Sequence, residues 1–162
     1  MPISEEFSRT AYVFGEEAIK KLNNARIAVF GIGGVGGHIC EALARVGVGQ
    51  IDIFDRDTVS LSNVNRQIIA LHSTVGKPKV EVMKERILDI NPNCRVNTYE
   101  VFYLPENAES FDLSVYSYIA DAVDTVSAKL EIICRAKAAG AYVLSCMGTG
   151  NKLDPSAFEV SD

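Results

Sequence analysis

The sequence predicts an α/β fold in which helices cover both faces of a doubly wound, mostly parallel β-sheet. Short apolar runs that suit buried strands alternate with longer segments of helical periodicity along the 162 residues. The first apolar run, residues 26–30, leads directly into a cluster of glycines, and a helical pattern follows at once. This repeated order of strand, turn and helix is typical of a Rossmann-like sheet, which binds ligands at the carboxyl ends of its strands.

Each predicted element has its own pattern along the chain. Apolar runs between polar or glycine-rich segments predict strands at residues 26–30, 50–54, 94–102, 117–122 and 142–146. Apolar residues at helical spacing predict helices at residues 15–25, 38–48, 76–90 and 126–139. Pro78 suits a first helical turn, and Pro92 follows the end of the same helix. Residues 3–14 lack clear periodicity but contain apolar side chains, so this arm is expected to pack against another surface, and residues 153–162 are expected to form a loop and the start of a strand.

Chain length, net charge and the spacing of the cysteines limit the classes of protein to which this sequence can belong. A chain of 162 residues can bury one substantial core. Its net charge of −5 argues against non-specific nucleic-acid binding by the whole surface. The N-terminus lacks the apolar segment of a secretory signal, and no apolar run reaches 18 residues, so we expect a cytoplasmic protein without a membrane span. The four cysteines form no C-x-x-C pair, and a zinc site is not expected.

The glycine-rich turn after the first strand is the strongest local signal for a ligand. Gly31, Gly33 and Gly36 fit the G-x-G-x-x-G spacing, in which the glycines allow a tight turn, approach of backbone to phosphate, and close packing of helix on strand. Gly34 and Gly37 leave the backbone more open still. The following helix offers unpaired N–H groups to an anion. The alternative is a strand-to-helix turn without a ligand.

Polar residues after the second strand extend this candidate site. Asp55 closes the strand 24 residues after Gly31, where a Rossmann-type unit places an acid that binds a ribose hydroxyl. A turn aspartate is the alternative. The segment at residues 58–71 is unusually rich in hydrogen-bonding side chains, and Arg66 within it could bind a phosphate in bidentate fashion. A solvated loop and helix would explain the same composition.

Two further positions carry charges that suggest phosphate and metal binding. Lys79 lies in the first turn of a predicted helix, where a cation opposes the helix dipole unless an anion is close by. Asp121 and Asp124 lie at the carboxyl end of the fourth strand, at the edge where parallel sheets bind ligands and where Mg²⁺ on a nucleotide takes one or two carboxylates. Asp124 would alternatively cap the next helix.

Three function classes are compatible with these residues. The glycine turn and Asp55 suit a dehydrogenase that uses NAD. Arg66, Lys79 and Asp124 favour an enzyme that activates a substrate with ATP, because phosphates and Mg²⁺ need cations and carboxylates whereas hydride transfer does not. A nucleotide-sensing or scaffold domain is the third, non-enzymatic class.

Six motifs in their order and spacing resemble the ubiquitin-activating-like (E1-like, ThiF/MoeB/HesA) superfamily over nearly the whole chain. They are Gly31–Gly37, Asp55–Val59, Ser62–Gln67, Val75–Glu81, Ile90–Pro92 and Asp121–Asp124. The flanking segments are most similar to the branch of tRNA threonylcarbamoyladenosine dehydratases (TcdA/CsdL). Those segments are Phe7–Thr10, Phe14–Glu16, Asn63–Gln67, Glu81–Ile87 and Met147–Pro155.

The resemblance implies carboxylate adenylation with ATP and Mg²⁺. It implies an ATP site composed of Gly31, Gly33, Gly34, Gly36, Asp55, Asp57, Ser62, Asn63, Arg66, Gln67, Lys79, Asp124 and Thr125. Within that site, Gly34 and its neighbours cradle phosphate, Asp55 holds the ribose hydroxyls, and Asp124 supports Mg²⁺. Arg66 and Lys79 contact the triphosphate and, with Asp124, are implied to be catalytic.

The resemblance also implies binding partners, a substrate and how much of a full-length family member the chain represents. Arg9 matches an arginine that reaches the ATP of a partner subunit, which makes it a fourth implied catalytic residue and implies a homodimer. The implied substrate is tRNA carrying threonylcarbamoyladenosine. The alternative is the C-terminal glycine of a ubiquitin-like sulfur-carrier protein, and a sulfur-transfer protein is a further possible partner. Residues 1–162 are expected to form a single adenylation domain that is truncated at its C-terminus relative to the family.

Overall fold

The structure is a computed structural model that describes residues 4–148 and 153–162. Its strands are β1 (Arg26–Phe30), β2 (Gln50–Phe54), β3 (Arg95–Tyr99), β4 (Tyr118–Asp121) and β5 (Tyr142–Ser145). Its α-helices are α1 (Ser8–Phe14), α2 (Glu16–Asn24), α3 (Gly36–Arg45), α4 (Lys79–Ile90) and α5 (Val126–Ala138). Short 3₁₀ turns lie at Glu5–Phe7, Leu61–Asn63, Ala108–Ser110, Leu113–Val115 and Pro155–Ala157. The described residues contain no helix that is long and apolar enough to span a membrane.

The five strands form one parallel sheet in the order β3-β2-β1-β4-β5. The strand order therefore reverses between β1 and β4, which is the position where doubly wound sheets open a crevice for a ligand. Phe30 at the end of β1 is level with Phe54 on one side and Asp121 on the other. The predicted Rossmann-like class is confirmed.

Strand β1 is buried on both faces because two cores lie on opposite sides of the sheet. Ile27 and Val29 belong to a core shared with α3 and α4, whereas Ala28 and Phe30 belong to a second core with α5. Side chains alternate between the faces of a strand, and a parallel sheet is covered on both, so its central strands are apolar throughout. This explains why the apolar run at residues 27–30 is continuous.

Several element boundaries differ from the sequence-based expectations. Residues 8–14 of the arm form helix α1; Tyr12, Val13 and Phe14 are strongly exposed in this chain, whereas Phe7 lies against Gly47. Strand β3 ends at Tyr99 instead of residue 102, because its neighbour β2 ends at Phe54 and offers no further partner. The strand expected within residues 153–162 is absent, and a short 3₁₀ turn lies there instead.

A buried ionic cluster joins the strands away from the crevice. Asp52 in β2 is fully buried, and its carboxylate accepts hydrogen bonds from Arg26 (2.6 Å), Tyr116 (2.9 Å), Asn97 (2.9 Å) and Gln50 (3.2 Å). A buried carboxylate needs such partners, since removing one leaves its charge partly unsolvated. The Asp52 cluster thus links β1, β2 and β3 to the segment that precedes β4.

Replacing Tyr116 by phenylalanine is expected to lower the free energy of unfolding by about 1.5–3 kcal/mol, the range for a hydrogen bond to a charged group. Urea unfolding followed by circular dichroism measures the change. Tyr118→Phe is the matched control because Tyr118 is partly exposed and its ring stacks on that of Tyr142. Equal losses in the two variants would contradict the structural role of the hydroxyl–carboxylate bond.

Candidate functional site

A crevice of about 640 Å³ opens at the carboxyl edge of the sheet, beside the point where the strand order reverses. The glycine turn and the ends of β1 and β2 form its floor, and the segments after β3, β4 and β5 form its walls. The lining residues that carry charge are Asp55, Asp57, Arg66, Lys79 and Asp124. The structure therefore brings together charged residues that lie up to 69 positions apart in the sequence, from 55 to 124.

Two glycines of the turn are required by its geometry. Gly31 has a φ of +86°, and a Cβ at this position would lie 2.8 Å from the carbonyl oxygen of Ala122. A Cβ on Gly36 would lie 1.7 Å from the carbonyl oxygen of Gly31, so helix α3 can begin this close to β1 only with glycine. These distances give the first and third glycines of the motif the packing roles that the spacing predicts.

The two central glycines of the turn are less closely packed than Gly31 and Gly36. A Cβ on Gly33 would have no neighbour closer than 3.9 Å, and one on Gly34 none closer than 3.5 Å. No described residue accepts a hydrogen bond from either backbone N–H group. Helix α3 begins at Gly36, directly after crevice-lining Val35, so its positive dipole end is next to these free donors. The turn has the form of an anion site.

Asp55 connects the end of β2 to the glycine turn. Its Oδ2 accepts the N–H of Ile32 at 2.6 Å, and its Oδ1 accepts the N–H of Asp57 at 2.8 Å. Burial raises the pKa of Asp55, while these two hydrogen bonds act in the opposite direction. The carboxylate lines the crevice with lone pairs left for a hydroxyl donor.

Lys79 is buried at the floor of the crevice, with 5% of its surface exposed. Its Nζ lies 2.8 Å from Oδ2 of Asp57 and 3.9 Å from Oδ2 of Asp55. Asp57 and Asp55 are the anions that make a cation tolerable in the first turn of α4. This fixed ammonium group is available to a ligand from the crevice side.

The segment after Asp57 lies over the glycine turn, and its predicted site residues make different contacts there. The stem of Arg66 lies against Gly34, and its guanidinium is exposed and donates to the carbonyl oxygen of Ser62 at 3.1 Å. Asn63 lines the crevice, but its Oδ1 already accepts the N–H of Ser60. Gln67 is buried with its Oε1 unpaired within the described part of the chain, so it has a free acceptor at the crevice.

Ser62 is the predicted site residue of this segment that does not line the crevice. Its Oγ lies 3.0 Å from Oγ of Ser60, on an exposed turn. A direct part in the crevice is therefore not visible for Ser62 in this structure.

The wall after β4 contains one acid of the predicted pair. Asp124 and Thr125 are exposed and line the crevice. The expectation for Asp121 is wrong, because this residue belongs to β4, is fully buried and pairs with Lys129 at 2.9 Å. Within residues 4–148 and 153–162, no three histidine, cysteine or acidic residues cluster as a metal site. One free carboxylate suits Mg²⁺ that takes its other ligands from phosphates and water.

A family model described as the ThiF family matches residues 7–159. The chain belongs to the ThiF family. The predicted superfamily is thus confirmed, and the match extends across the crevice on all its sides.

Individual relatives of this ThiF-family chain include both branches that the sequence suggests. A tRNA threonylcarbamoyladenosine dehydratase of Bacillus subtilis is 45% identical over 157 residues, 97% of this chain and 62% of that protein. The crystal structure of the Escherichia coli dehydratase TcdA in complex with ATP has a TM-score of 0.95 at 41% identity, covering 100% of this chain and 68% of that one. A molybdopterin-synthase adenylyltransferase of Salmonella typhimurium is 36% identical over 118 residues, 73% of this chain and 46% of that protein.

The ThiF-family chain is shorter than these relatives. It spans 62%, 59% and 60% of the three bacterial dehydratases that it matches. Arg9 lies on exposed helix α1 and is not among the residues that line the crevice of its own chain. The segment Met147–Pro155, which resembles the dehydratase branch, includes residues 149–152, which lie outside the described residues.

Sequence reasoning missed the apolar wall of the crevice. Phe102, Tyr103 and Leu104 follow β3 and line the crevice, as do Phe30 and Phe54, whose rings stack with centroids 4.3 Å apart. The apolar run at residues 101–104 was a signal for this wall, but it had been assigned in part to the third strand. The crevice therefore has apolar lining residues beside the charged ones.

Proposed function

We propose that this chain is the ATP-binding domain of an enzyme that adenylates a carboxylate, namely that of threonylcarbamoyladenosine in tRNA. The observation that carries the proposal is the buried Lys79, held beside Asp57 in a crevice that also contains free glycine N–H groups, Arg66 and Asp124. Hydride transfer needs no such set of cations and carboxylates, so ATP is favoured over NAD. The 45% identity to a protein named as a dehydratase supports the substrate.

Each part of ATP finds suitable residues in the crevice. The N–H groups of Gly33 and Gly34, together with Arg66 and Lys79, would bind the triphosphate. Asp55 would accept hydrogen bonds from the ribose hydroxyls. The apolar wall at residues 102–104 would take the adenine, because ligand sites bury flat rings against apolar side chains. Asn63, Gln67 and Thr125 supply further hydrogen-bonding groups, while Asp57 orients Lys79.

The proposed reaction has two steps. The substrate carboxylate attacks the α-phosphorus of ATP, pyrophosphate leaves, and an acyl adenylate forms. The carbamoyl nitrogen of the same modified nucleoside then attacks the activated carbonyl, loses its proton, and AMP leaves as the ring closes. The net change in the tRNA is the loss of one water. Lys79 and Arg66 would stabilise the negative charge that develops on the phosphates in the first step.

Mg²⁺ would supply charge neutralisation and orientation of the phosphates, and Asp124 is the residue that would hold it. Arg9 would act on the ATP of a second copy, since it lies away from the crevice of its own chain and on an exposed helix. We accordingly propose a homodimer of single adenylation domains in the cytoplasm. The alternative substrate is the C-terminal glycine of a sulfur-carrier protein, favoured by the 36% identity to the adenylyltransferase.

ATP–pyrophosphate exchange tests the proposal, with tRNA bearing threonylcarbamoyladenosine, a sulfur-carrier protein ending in Gly-Gly, or no substrate. We expect exchange with the modified tRNA and none with tRNA that lacks the modification. Exchange with the carrier protein alone would move the chain to the sulfur-carrier branch. Binding of NAD without binding of ATP would contradict adenylation altogether.

A further inference from the structure

We infer that Lys129 is a positioning residue that, together with Asp121, holds the β4 and β5 sides of the crevice at a set distance. The two residues form a buried ion pair on the far side of the wall that contains Asp124. The effect on ATP rests on the proposed function above, whereas the effect on the wall itself does not.

Lys129 reaches from helix α5 to the ends of two strands. Its Nζ lies 2.9 Å from Oδ2 of Asp121 at the end of β4 and 2.8 Å from the carbonyl oxygen of Cys146 just after β5. It also lies 3.4 Å from Oγ of Ser145, the last residue of β5. The three acceptors satisfy the three donors of the ammonium group.

Asp121 completes the connection from the other side. Its Oδ1 accepts the N–H of Val123 at 3.1 Å, and its Oδ2 accepts the hydroxyl of Ser145 at 2.6 Å. Its carbonyl oxygen accepts the N–H of Cys146 at 2.8 Å. The carboxylate of Asp121 therefore binds the loop after β4 and the last residue of β5, while its main-chain carbonyl binds the chain just after β5.

Both ordered segments belong to the crevice. Residues 122–125 and residues 146–148 line it, and the first segment carries Asp124 and Thr125. If the ion pair is lost, the two segments lose the ammonium group that holds them together. The position of Asp124 relative to the glycine turn then depends on looser packing.

The contacts of the Lys129–Asp121 ion pair favour a positioning role over a purely structural one. A buried ion pair adds little net stability over an apolar pair of similar size. Besides each other, both partners bind groups at or next to crevice segments: Val123, Ser145 and Cys146. The Asp52 cluster, by contrast, is also buried and ionic but includes no residue that lines the crevice.

Lys129→Met tests the inference by removing the charge and keeping the length of the side chain. We expect binding of ATP with Mg²⁺ to weaken about tenfold, as is typical when a residue that orients a metal ligand is removed. Binding of adenosine, which carries no phosphate, is expected to change less than twofold. Hydrogen exchange at the amides of Val123 and Cys146, measured without nucleotide, is expected to accelerate.

Two further variants keep the outcome clear. The double variant Asp121→Asn/Lys129→Met leaves no unpaired charge. It replaces the single variant if Lys129→Met does not fold. We expect the same ratio of ATP affinity to adenosine affinity as for the single variant. Tyr116→Phe is the control for lost stability and is expected to leave that ratio unchanged.

Two results would overturn the inference: equal weakening of ATP and adenosine, or unchanged amide exchange at both segments in a folded variant. Failure of the unsubstituted chain to bind ATP with Mg²⁺ would instead overturn the proposed function. The exchange comparison would then decide the inference by itself, because it requires no nucleotide.

Discussion

Replacing Lys79 by methionine is expected to lower the rate of ATP–pyrophosphate exchange by about 100- to 1,000-fold, the usual cost of removing one preorganised donor to developing charge. Lys79 is buried, and its ammonium group is held 2.8 Å from Asp57, so the chain has already oriented the cation before a phosphate arrives. The substitution also leaves Asp55 and Asp57 without their shared cation. Their uncompensated charges would repel a triphosphate, which adds to the loss.

Lys77→Met is the matched control for this prediction. Lys77 is two residues away, carries the same charge and is exposed, but it does not line the crevice. We expect its exchange rate to stay within twofold of the unsubstituted chain. Steady-state exchange at saturating tRNA measures both variants, and a Lys79→Met variant that retains a tenth or more of the activity would contradict the assigned role.

Replacing Gly36 by alanine is expected to destabilise the fold by about 3 kcal/mol, at the upper end of the range for overpacked sites. The new methyl group would lie 1.7 Å from the carbonyl oxygen of Gly31, and both atoms belong to rigid backbone. Helix propensity alone favours alanine over glycine by about 1 kcal/mol. The two effects have opposite signs, so the measured sign decides which one dominates.

Gly34→Ala is the control, since its methyl group would have no neighbour closer than 3.5 Å. We expect its free energy of unfolding to change by less than about 0.5 kcal/mol, because the methyl group would make only ordinary van der Waals contacts with Arg66. Urea unfolding compares the two variants. A Gly36→Ala variant as stable as the unsubstituted chain would show that α3 can move away from β1, against the packing described above.

The fold class was predictable because the central strands of a parallel sheet that is covered on both faces can be recognised from their own few residues. A continuous apolar run at residues 27–30 marks β1, and three apolar residues around Asp52 mark β2; the predicted bounds of 26–30 and 50–54 agree with the structure. The helical stripe and Pro78 predicted the helix that the structure has at Lys79–Ile90. Elements whose bounds depend on a neighbour were less predictable, as the early end of β3 illustrates.

It was also predictable that the crevice brings together Asp55, Lys79 and Asp124. The carboxyl ends of parallel strands lie at one edge of the sheet. The sequence could not separate Asp124 from Asp121. Both are acids near a strand end, and only the point where β4 stops determines which carboxylate is buried. The partner of Asp121 is on α5, at a contact that no periodicity reveals.

Asp55 makes the two halves of the crevice depend on each other. One carboxylate holds the Ile32 amide of the turn and, under the proposed function, would also bind the sugar, so ordering either half would restrain the other. A phosphate chain that immobilises the turn lowers the entropy cost of the second contact, so the two fragments of a nucleotide should bind with positive cooperativity. The intact nucleotide would then bind with an association constant larger than the product of those of adenosine and inorganic phosphate. This difference is a thermodynamic basis for preferring the nucleotide over its fragments.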